Sequence, residues 1–140
     1  MRCSDVDMAA NMIAIDTNVV IRLLVADSPD QTSRAEALVR QNSVWVSTTV
    51  VLEAGWVLSS RYGFAPDQVV AALTSVAGVP GVTFEKSEAI QRAFDAVRAG
   101  FDFADALHLA LASDQVAFAT FDRDLARRAI TQGLGDVVLV

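Results

Sequence analysis

The chain has 140 residues, of which 53% are hydrophobic and 20% are charged. This length predicts one domain that buries about two thirds of the surface its unfolded chain would expose, and the apolar fraction excludes a disordered protein. Lys and Arg number 11 against 17 Asp and Glu, which gives a net charge of -6. This acidic balance argues against general coating of nucleic acid, because non-specific affinity comes mostly from cationic contacts to phosphates. It does not exclude a nucleic acid bound in a small site.

The first eleven residues are polar and lack the apolar core of a signal peptide. We interpret residues 1–11 as a flexible extension, followed by a single domain over residues 12–140. Cys3 is the only cysteine, which excludes an intrachain disulfide and a cysteine-rich zinc site and favours the reducing cytoplasm. No apolar run approaches the roughly 20 residues of a membrane span, so we expect no membrane partner.

Short apolar runs alternate with helical patterns along the chain. In chain order we expect a strand at 12–15, helices at 19–26 and 30–41, a strand at 44–46, helices at 50–62 and from 66 to about 78, a strand at 82–84, helices at 87–98 and 104–113, a strand at 116–119, a helix at 122–132 and a strand at 137–139. Continuous apolar strands are typical of a parallel sheet that is covered on both faces. The pattern therefore predicts an α/β fold, a three-layer α/β/α sandwich around a short parallel central sheet.

Most of the carboxylates fall in turns, caps or polar helix faces, where a solvated surface position is expected. These are Asp5, Asp27, Asp30, Glu36, Asp67, Glu85, Glu88 and Asp95. Four others stand out. Asp16 and Asp122 each follow a predicted strand, and open α/β folds bind ligands at the carboxyl ends of their strands. Glu53 interrupts an apolar helix, and Asp105 begins the most apolar helix of the chain.

Each of these four acids also has an ordinary structural explanation. Asp16, Asp105 and Asp122 can stabilise helix N-termini, and Glu53 can pair with an arginine. In one pocket, however, they would repel one another, by about 4 kcal/mol for a pair about 4 Å apart at an effective dielectric of about 20. A divalent cation would neutralise them, and oxygen ligands without nearby His or Cys favour Mg²⁺ or Mn²⁺. Such a site suits hydrolysis of a phosphodiester bond.

The segments that carry these acids resemble a known family. In order, IDTNVVIRLL, VVLEAGWVLSSRYG, FADALHLA and ATFDRDL are similar to segments of PIN-domain nucleases, and most of all to the VapC-type toxins of bacterial toxin–antitoxin pairs. The resemblance extends over residues 12–140. It implies an endoribonuclease toxin that needs Mg²⁺ or Mn²⁺ to cleave RNA, forms a homodimer and is inhibited by a cognate antitoxin.

The resemblance also implies roles for individual residues. The catalytic, metal-binding acids would be Asp16, Glu53, Asp105 and Asp122. Thr17 or Asn18 would orient Asp16 or its bound water, and Thr120 would line the pocket. Asp124 competes with Asp122 for the fourth position, and we prefer Asp122 because it lies nearer the strand end. Asp102 would support Asp105 from one turn before it.

Cationic and aromatic residues receive more limited predictions. Three arginines near the last predicted acid are the first candidates for contacts to RNA phosphates: Arg123, Arg127 and Arg128. We expect His108 to be a buried or partly buried structural residue, because no second His or Cys accompanies it at metal-ligand spacing. Trp45 and Trp56 are expected in the core rather than as platforms for base stacking.

Two other functions remain open at this point. A PIN-like domain without nuclease activity would bind RNA or protein and would use its acids structurally or not at all. A receiver-like or phosphatase domain also gathers acids at strand ends, but a receiver places a lysine after a late strand. Lys86, the only lysine, does not lie at such a position.

Overall fold

The computed structural model describes residues 12–112 and 115–140. Over these residues the elements are β1 (Met12–Ala14), α1 (Thr17–Leu24), α2 (Pro29–Gln41), β2 (Ser43–Val46), α3 (Thr48–Tyr62), α4 (Pro66–Ala77), β3 (Val82–Phe84), α5 (Ser87–Arg98), α6 (Phe103–Ala112), β4 (Phe118–Thr120), α7 (Arg123–Thr131) and β5 (Val137–Leu139). The predicted extension at residues 1–11 lies outside the described residues, as does Ser113, the last residue of the predicted sixth helix. None of the helices in the described ranges is long and apolar enough to cross a membrane.

Every predicted element is present, with boundaries within two residues of the expected ones. The α1 helix begins earlier than predicted because the Asp16 side chain accepts a hydrogen bond from the backbone N–H of Val19. The β4 strand begins later, because the N–H of Val116 donates to the carbonyl of Ala112 at the end of α6 and not to a neighbouring strand. Local capping therefore explains both differences.

The described chain divides into two compact units between Glu85 and Lys86. The first contains a parallel sheet of order β1-β2-β3, in which Val44 is in register with Ile13 on one side and Val82 on the other. The second contains β4 and β5, which also pair in parallel. The continuous apolar runs therefore predicted the strand direction correctly in both units.

The core of the first unit forms where α1, α3 and α4 pack against one another. Its fully buried side chains include Val20, Ile21, Val51, Leu58, Val70 and Leu73. Burying an aliphatic side chain of this kind contributes about 1.5–3 kcal/mol. This packing holds the helices that carry three of the predicted site residues: Thr17, Asn18 and Glu53.

The second unit is built on the packing of α5 against α6. The apolar stripe of α5 is buried along its whole length: Ile90, Ala93, Phe94 and Val97. The ring of Phe94 stacks on that of Phe103 from α6, with centroids 6.3 Å apart. This contact anchors the first turn of α6, which carries Asp105.

Glu85 stabilises the start of α3, so the prediction of a merely solvated role for it is wrong. Its Oε1 accepts hydrogen bonds from the backbone N–H of Thr48 at 2.8 Å and from the Thr48 hydroxyl at 3.1 Å. Its negative charge also faces the positive end of the helix dipole.

Glu85→Ala is expected to lower the free energy of unfolding by about 1–2 kcal/mol, because it removes a helix cap and its charge. Urea denaturation of the purified variant measures this change. The matched control is Glu36→Ala, in the exposed middle of α2, which should stay within about 0.5 kcal/mol of the wild type. Equal losses in the two variants would contradict the capping role.

Candidate functional site

Asp16 lies between the carboxyl end of β1 and the first residue of α1. Its Oδ1 accepts a hydrogen bond from the N–H of Val19 at 3.1 Å, so the carboxylate caps the helix. The side chain is exposed, and its Oδ2 has no hydrogen-bond partner among the described residues. The capping explanation is therefore confirmed, and it leaves one carboxylate oxygen available to a cation. Asn18 is exposed on α1 close by.

Glu53 on α3 accepts a hydrogen bond from the hydroxyl of Thr17, which is only 9% exposed. Thr17 directly follows Asp16, so α1 supplies both one candidate acid and the group that orients another. The sequence predicts that Thr17 or Asn18 orients Asp16 or its bound water; in the structure the Thr17 hydroxyl donates to Glu53. Among the described residues no arginine forms an ion pair with Glu53, so the proposed arginine partner is absent there.

In the second unit, Asp105 lies half-buried in the first turn of α6. Asp102 precedes the helix, and its Oδ2 accepts a hydrogen bond from the N–H of Asp105 at 3.2 Å. Partial burial raises the pKa of the Asp105 carboxyl above its usual range. The negative charges of Asp102 and Asp122 raise this pKa further, while His108 opposes the increase. The carboxylates of Asp102 and Asp122 therefore disfavour ionisation of Asp105.

Asp122 caps the last helix of the chain. Its Oδ1 accepts a hydrogen bond from the N–H of Leu125 at 3.0 Å, and its own N–H donates to the hydroxyl of Thr120 at 3.0 Å. Thr120 is the last residue of β4. The threonine thus fixes the turn that presents the Asp122 carboxylate, which is exposed.

Asp124, the competitor for the fourth position, forms ion pairs with two arginines of its own helix. It contacts Arg127, and it lies 3.7 Å from Arg128. The guanidinium of Arg128 also lies 4.8 Å from the centroid of the Phe101 ring. In the part of the chain that the structure describes, Asp122 has no such ion pair, and Arg123 is exposed without one. The charge of Asp124 is thus partly neutralised on α7 itself.

Two residues expected to be buried are exposed instead. Trp56 is 63% exposed, because the buried face of α3 is formed by its neighbours Val51, Ala54 and Leu58. His108 is also exposed, on the outer face of α6. Both predictions were wrong because each residue has apolar neighbours in the sequence but lies on the solvent-facing side of its helix, and the periodicity of such segments does not define the buried face clearly.

The candidate acids provide the donor chemistry that a hard divalent cation requires. All are carboxylates, and Asp105 carries an unfavourable like-charge interaction that a cation would relieve. Within the described ranges, no group of three or more His, Cys, Asp or Glu side chains is arranged to hold a metal ion. These residues therefore suit a divalent cation by their ligand type and their negative charge, and not by a preformed cluster in the described ranges.

Asp105→Asn is expected to raise the free energy of unfolding at pH 7 when the protein is kept in EDTA. The folded-state pKa of Asp105 lies above its unfolded value, so the stability that its proton contributes is present at low pH and is lost as pH rises. The increase in the free energy of unfolding caused by Asp105→Asn should therefore be largest at neutral pH and should vanish towards about pH 4. Thermal melts across this range measure it, with the exposed Asp136→Asn as control. A gain that does not depend on pH would contradict this account.

Comparison with known proteins identifies the family of the chain. The PIN domain family model matches residues 13–130, which is most of the chain. The chain belongs to the PIN-domain family. The predicted fold class, a three-layer α/β/α PIN-like fold with short parallel strands, is confirmed.

Among solved structures the chain is similar to the sarcin–ricin loop cleaving toxin VapC20 of Mycobacterium tuberculosis, with 19% sequence identity and a TM-score of 0.40. This likeness covers 84% of this chain and 94% of that one. No curated protein matches the chain significantly.

Proposed function

We propose that the protein is a metal-dependent endoribonuclease, a toxin of the VapC type that cleaves RNA phosphodiester bonds. The observation that carries this proposal is the placement of carboxylates in a PIN-family chain. Asp16 lies between β1 and α1, and Asp122 caps α7 after β4. Asp105 lies in the first turn of α6, where partial burial and the charges of Asp102 and Asp122 raise its pKa. These positions suit acids that act on a ligand at the carboxyl ends of strands.

The divalent cation, Mg²⁺ or Mn²⁺, would be held by four carboxylates: Asp16, Glu53, Asp105 and Asp122. When bound, it would polarise the scissile phosphate and lower the pKa of the attacking water. We assign the fourth position to Asp122 because Asp124 is already paired with Arg127 and Arg128.

Other residues of the chain would keep these acids in place. The Thr17 hydroxyl fixes the orientation of Glu53, and the Thr120 hydroxyl fixes the turn before α7. Asp102 caps the start of α6 and, through its charge, favours binding of a cation beside Asp105. Asn18 would contribute a polar side chain next to Asp16.

RNA would be held by cationic side chains of α7. Arg123 is exposed without an ion pair among the described residues, so it is the first candidate for a phosphate contact. Arg127 and Arg128 would exchange their pairing with Asp124 for RNA phosphates, which is feasible because exposed ion pairs contribute only about 0–1 kcal/mol.

The proposal includes the partners and setting that the resemblance implies. A cognate antitoxin that places an arginine against the acids would inhibit the enzyme by a charge-assisted contact. We further propose a cytoplasmic homodimer in which residues 12–140 form one PIN domain.

The test is cleavage by the purified chain, freed of any partner and of metal. Structured RNAs that include tRNA, ribosomal stem-loops and mRNA are incubated with Mg²⁺ or Mn²⁺ and, in parallel, with EDTA. We expect defined cleavage products only when metal is present. Absence of metal-dependent cleavage across the whole panel would contradict the proposal and favour a PIN-like domain that only binds RNA or protein.

A further inference from the structure

We propose that a cavity between α1 and α2 binds one nucleotide of the RNA substrate, beside the scissile phosphate. This inference rests on the proposed nuclease function. The cavity has a volume of about 360 Å³, and Asp16 is one of the residues that line it. That volume falls within the roughly 300–1,000 Å³ range of small-ligand sites. A nucleotide that follows or precedes a phosphate at Asp16 therefore has a formed pocket next to it.

The lining combines an apolar surface with amide groups, as recognition of a nucleobase requires. Val19, Ala35 and Leu38 supply the apolar part, against which the face of a base can pack. Asn18 and Gln31 supply side-chain amides, which pair with the edges of bases. RNA is read mainly through unpaired bases held in this way, by packing on the face and hydrogen bonds to the edge.

Gln31 is held in one orientation by a network that reaches α3. The Nε of Arg22 donates to Gln31 Oε1 at 2.6 Å, and Arg22 Nη1 donates to Asp27 at 3.0 Å. The Tyr62 hydroxyl donates to the other oxygen of Asp27 at 2.8 Å. Because Arg22 donates to the Gln31 carbonyl, the orientation of the amide is fixed and its NH₂ group is available as a donor to a ligand. The pocket thus presents a fixed donor to acceptor atoms on a base edge.

Arg34 supplies the cation for the phosphate of the same nucleotide. It lines the cavity and pairs with Asp30 at 3.0 Å, but both side chains are largely exposed, at 71% and 81%. An exposed pair of this kind is weak, so Arg34 can leave Asp30 for a phosphate, to which guanidinium binds in a bidentate manner. An arginine that lines the same pocket as a proposed metal-binding acid, Asp16, favours a nucleotide over an uncharged ligand.

Binding of nucleoside 5′-monophosphates to the full-length chain in EDTA tests the inference. The side-chain amide NMR signals of Asn18 and Gln31 are followed during titration with each nucleotide and, separately, with inorganic phosphate. We expect both amides to shift with nucleotides, and phosphate alone to leave them nearly unchanged. Arg34→Ala should weaken nucleotide binding about tenfold, the loss expected for one charge-assisted hydrogen bond.

Two further variants make the test specific. Gln31→Leu should weaken nucleotide binding while keeping a similar volume in the pocket. The matched control is Arg40→Ala, an exposed arginine on the same helix that does not line this cavity, which should stay within about twofold of the wild type. Equal losses for Arg34→Ala and Arg40→Ala would overturn the inference, because they would show a general charge effect.

The RNA cleavage assay, run on the same samples, separates this inference from the proposed function. Cleavage by a wild-type protein whose amides do not respond to any nucleotide overturns the inference alone and leaves the nuclease function standing. Equal amide shifts with phosphate and with nucleotides overturn the base-binding part. Nucleotide binding without cleavage of any RNA overturns the nuclease function but supports the pocket.

Discussion

Asp16→Asn and Asp105→Asn are each expected to lower the rate of metal-dependent RNA cleavage by at least about 100-fold. A metal ion stabilises a phosphoryl transition state by several kcal/mol, and about 2.7 kcal/mol already corresponds to 100-fold. Asn keeps the shape of the side chain but lacks the negative charge that holds a divalent cation. The initial rate of product formation at saturating Mn²⁺ measures the effect.

The Asp16 variant separates the charge of this residue from its structural role. Asn is as good a helix cap as Asp, so the hydrogen bond from Val19 and the start of α1 should be preserved. Thermal stability in EDTA should therefore change little, while cleavage is lost. Asp136→Asn, an exposed carboxylate without a proposed role, is the control and should cleave at the wild-type rate. Wild-type cleavage by either acid variant would contradict the assignment.

Phe94→Ala is expected to produce the largest loss of stability, about 3–5 kcal/mol. The Phe94 side chain is fully buried, and its ring stacks on Phe103 at the start of α6. Removing it leaves a cavity between α5 and α6 that the surrounding side chains fill only in part. Because a domain of this size has a total stability of about 5–15 kcal/mol, the variant should unfold at a much lower urea concentration.

Phe121→Ala is the control for this experiment. Phe121 is 81% exposed, so its truncation should change the free energy of unfolding by about 0.5 kcal/mol or less. A similar, small loss in both variants would show that α5 and α6 are not held together by the Phe94–Phe103 contact. A large loss in Phe94→Ala alone supports the packing described for the second unit.

The secondary structure was predictable because its signals are local. Pro29 and Pro66 begin helices, as proline does at the first helical position. Gly63 ends α3 with a φ of 69°, a left-handed conformation that glycine adopts without strain. Signals of this kind depend on a few neighbouring residues, which is why the boundaries agree within two positions.

Contacts between residues distant in the sequence were not predictable from it. Glu85 and Thr48 are separated by 37 positions, and Tyr62 and Asp27 by 35. Nothing near Glu85 or Asp27 distinguishes them from solvated acids, since their partners come from other elements. The same holds for the hydrogen bond that the Thr17 hydroxyl donates to Glu53, 36 positions away.

The candidate acids show that a structural explanation and a functional one need not exclude each other. From the sequence, Asp16 and Asp122 could each be explained either as a helix cap or as a ligand-binding acid. In the structure both residues cap helices. In each case one carboxylate oxygen accepts the capping hydrogen bond, and this contact fixes the direction in which the other carboxylate oxygen points. A cap can therefore position a metal ligand in advance, and the presence of the cap is no argument against the site.

Binding of Mn²⁺ to the metal-free protein is the most direct test of the claim that these carboxylates hold a divalent cation. Electron paramagnetic resonance of free Mn²⁺ gives the dissociation constant for the wild type, Asp16→Asn and Asp105→Asn. We predict specific binding by the wild type and a loss of affinity of at least about tenfold in each variant, since loss of even an outer-shell partner typically lowers metal affinity 10–100-fold. Mn²⁺ binding of equal strength in all three proteins would contradict the account.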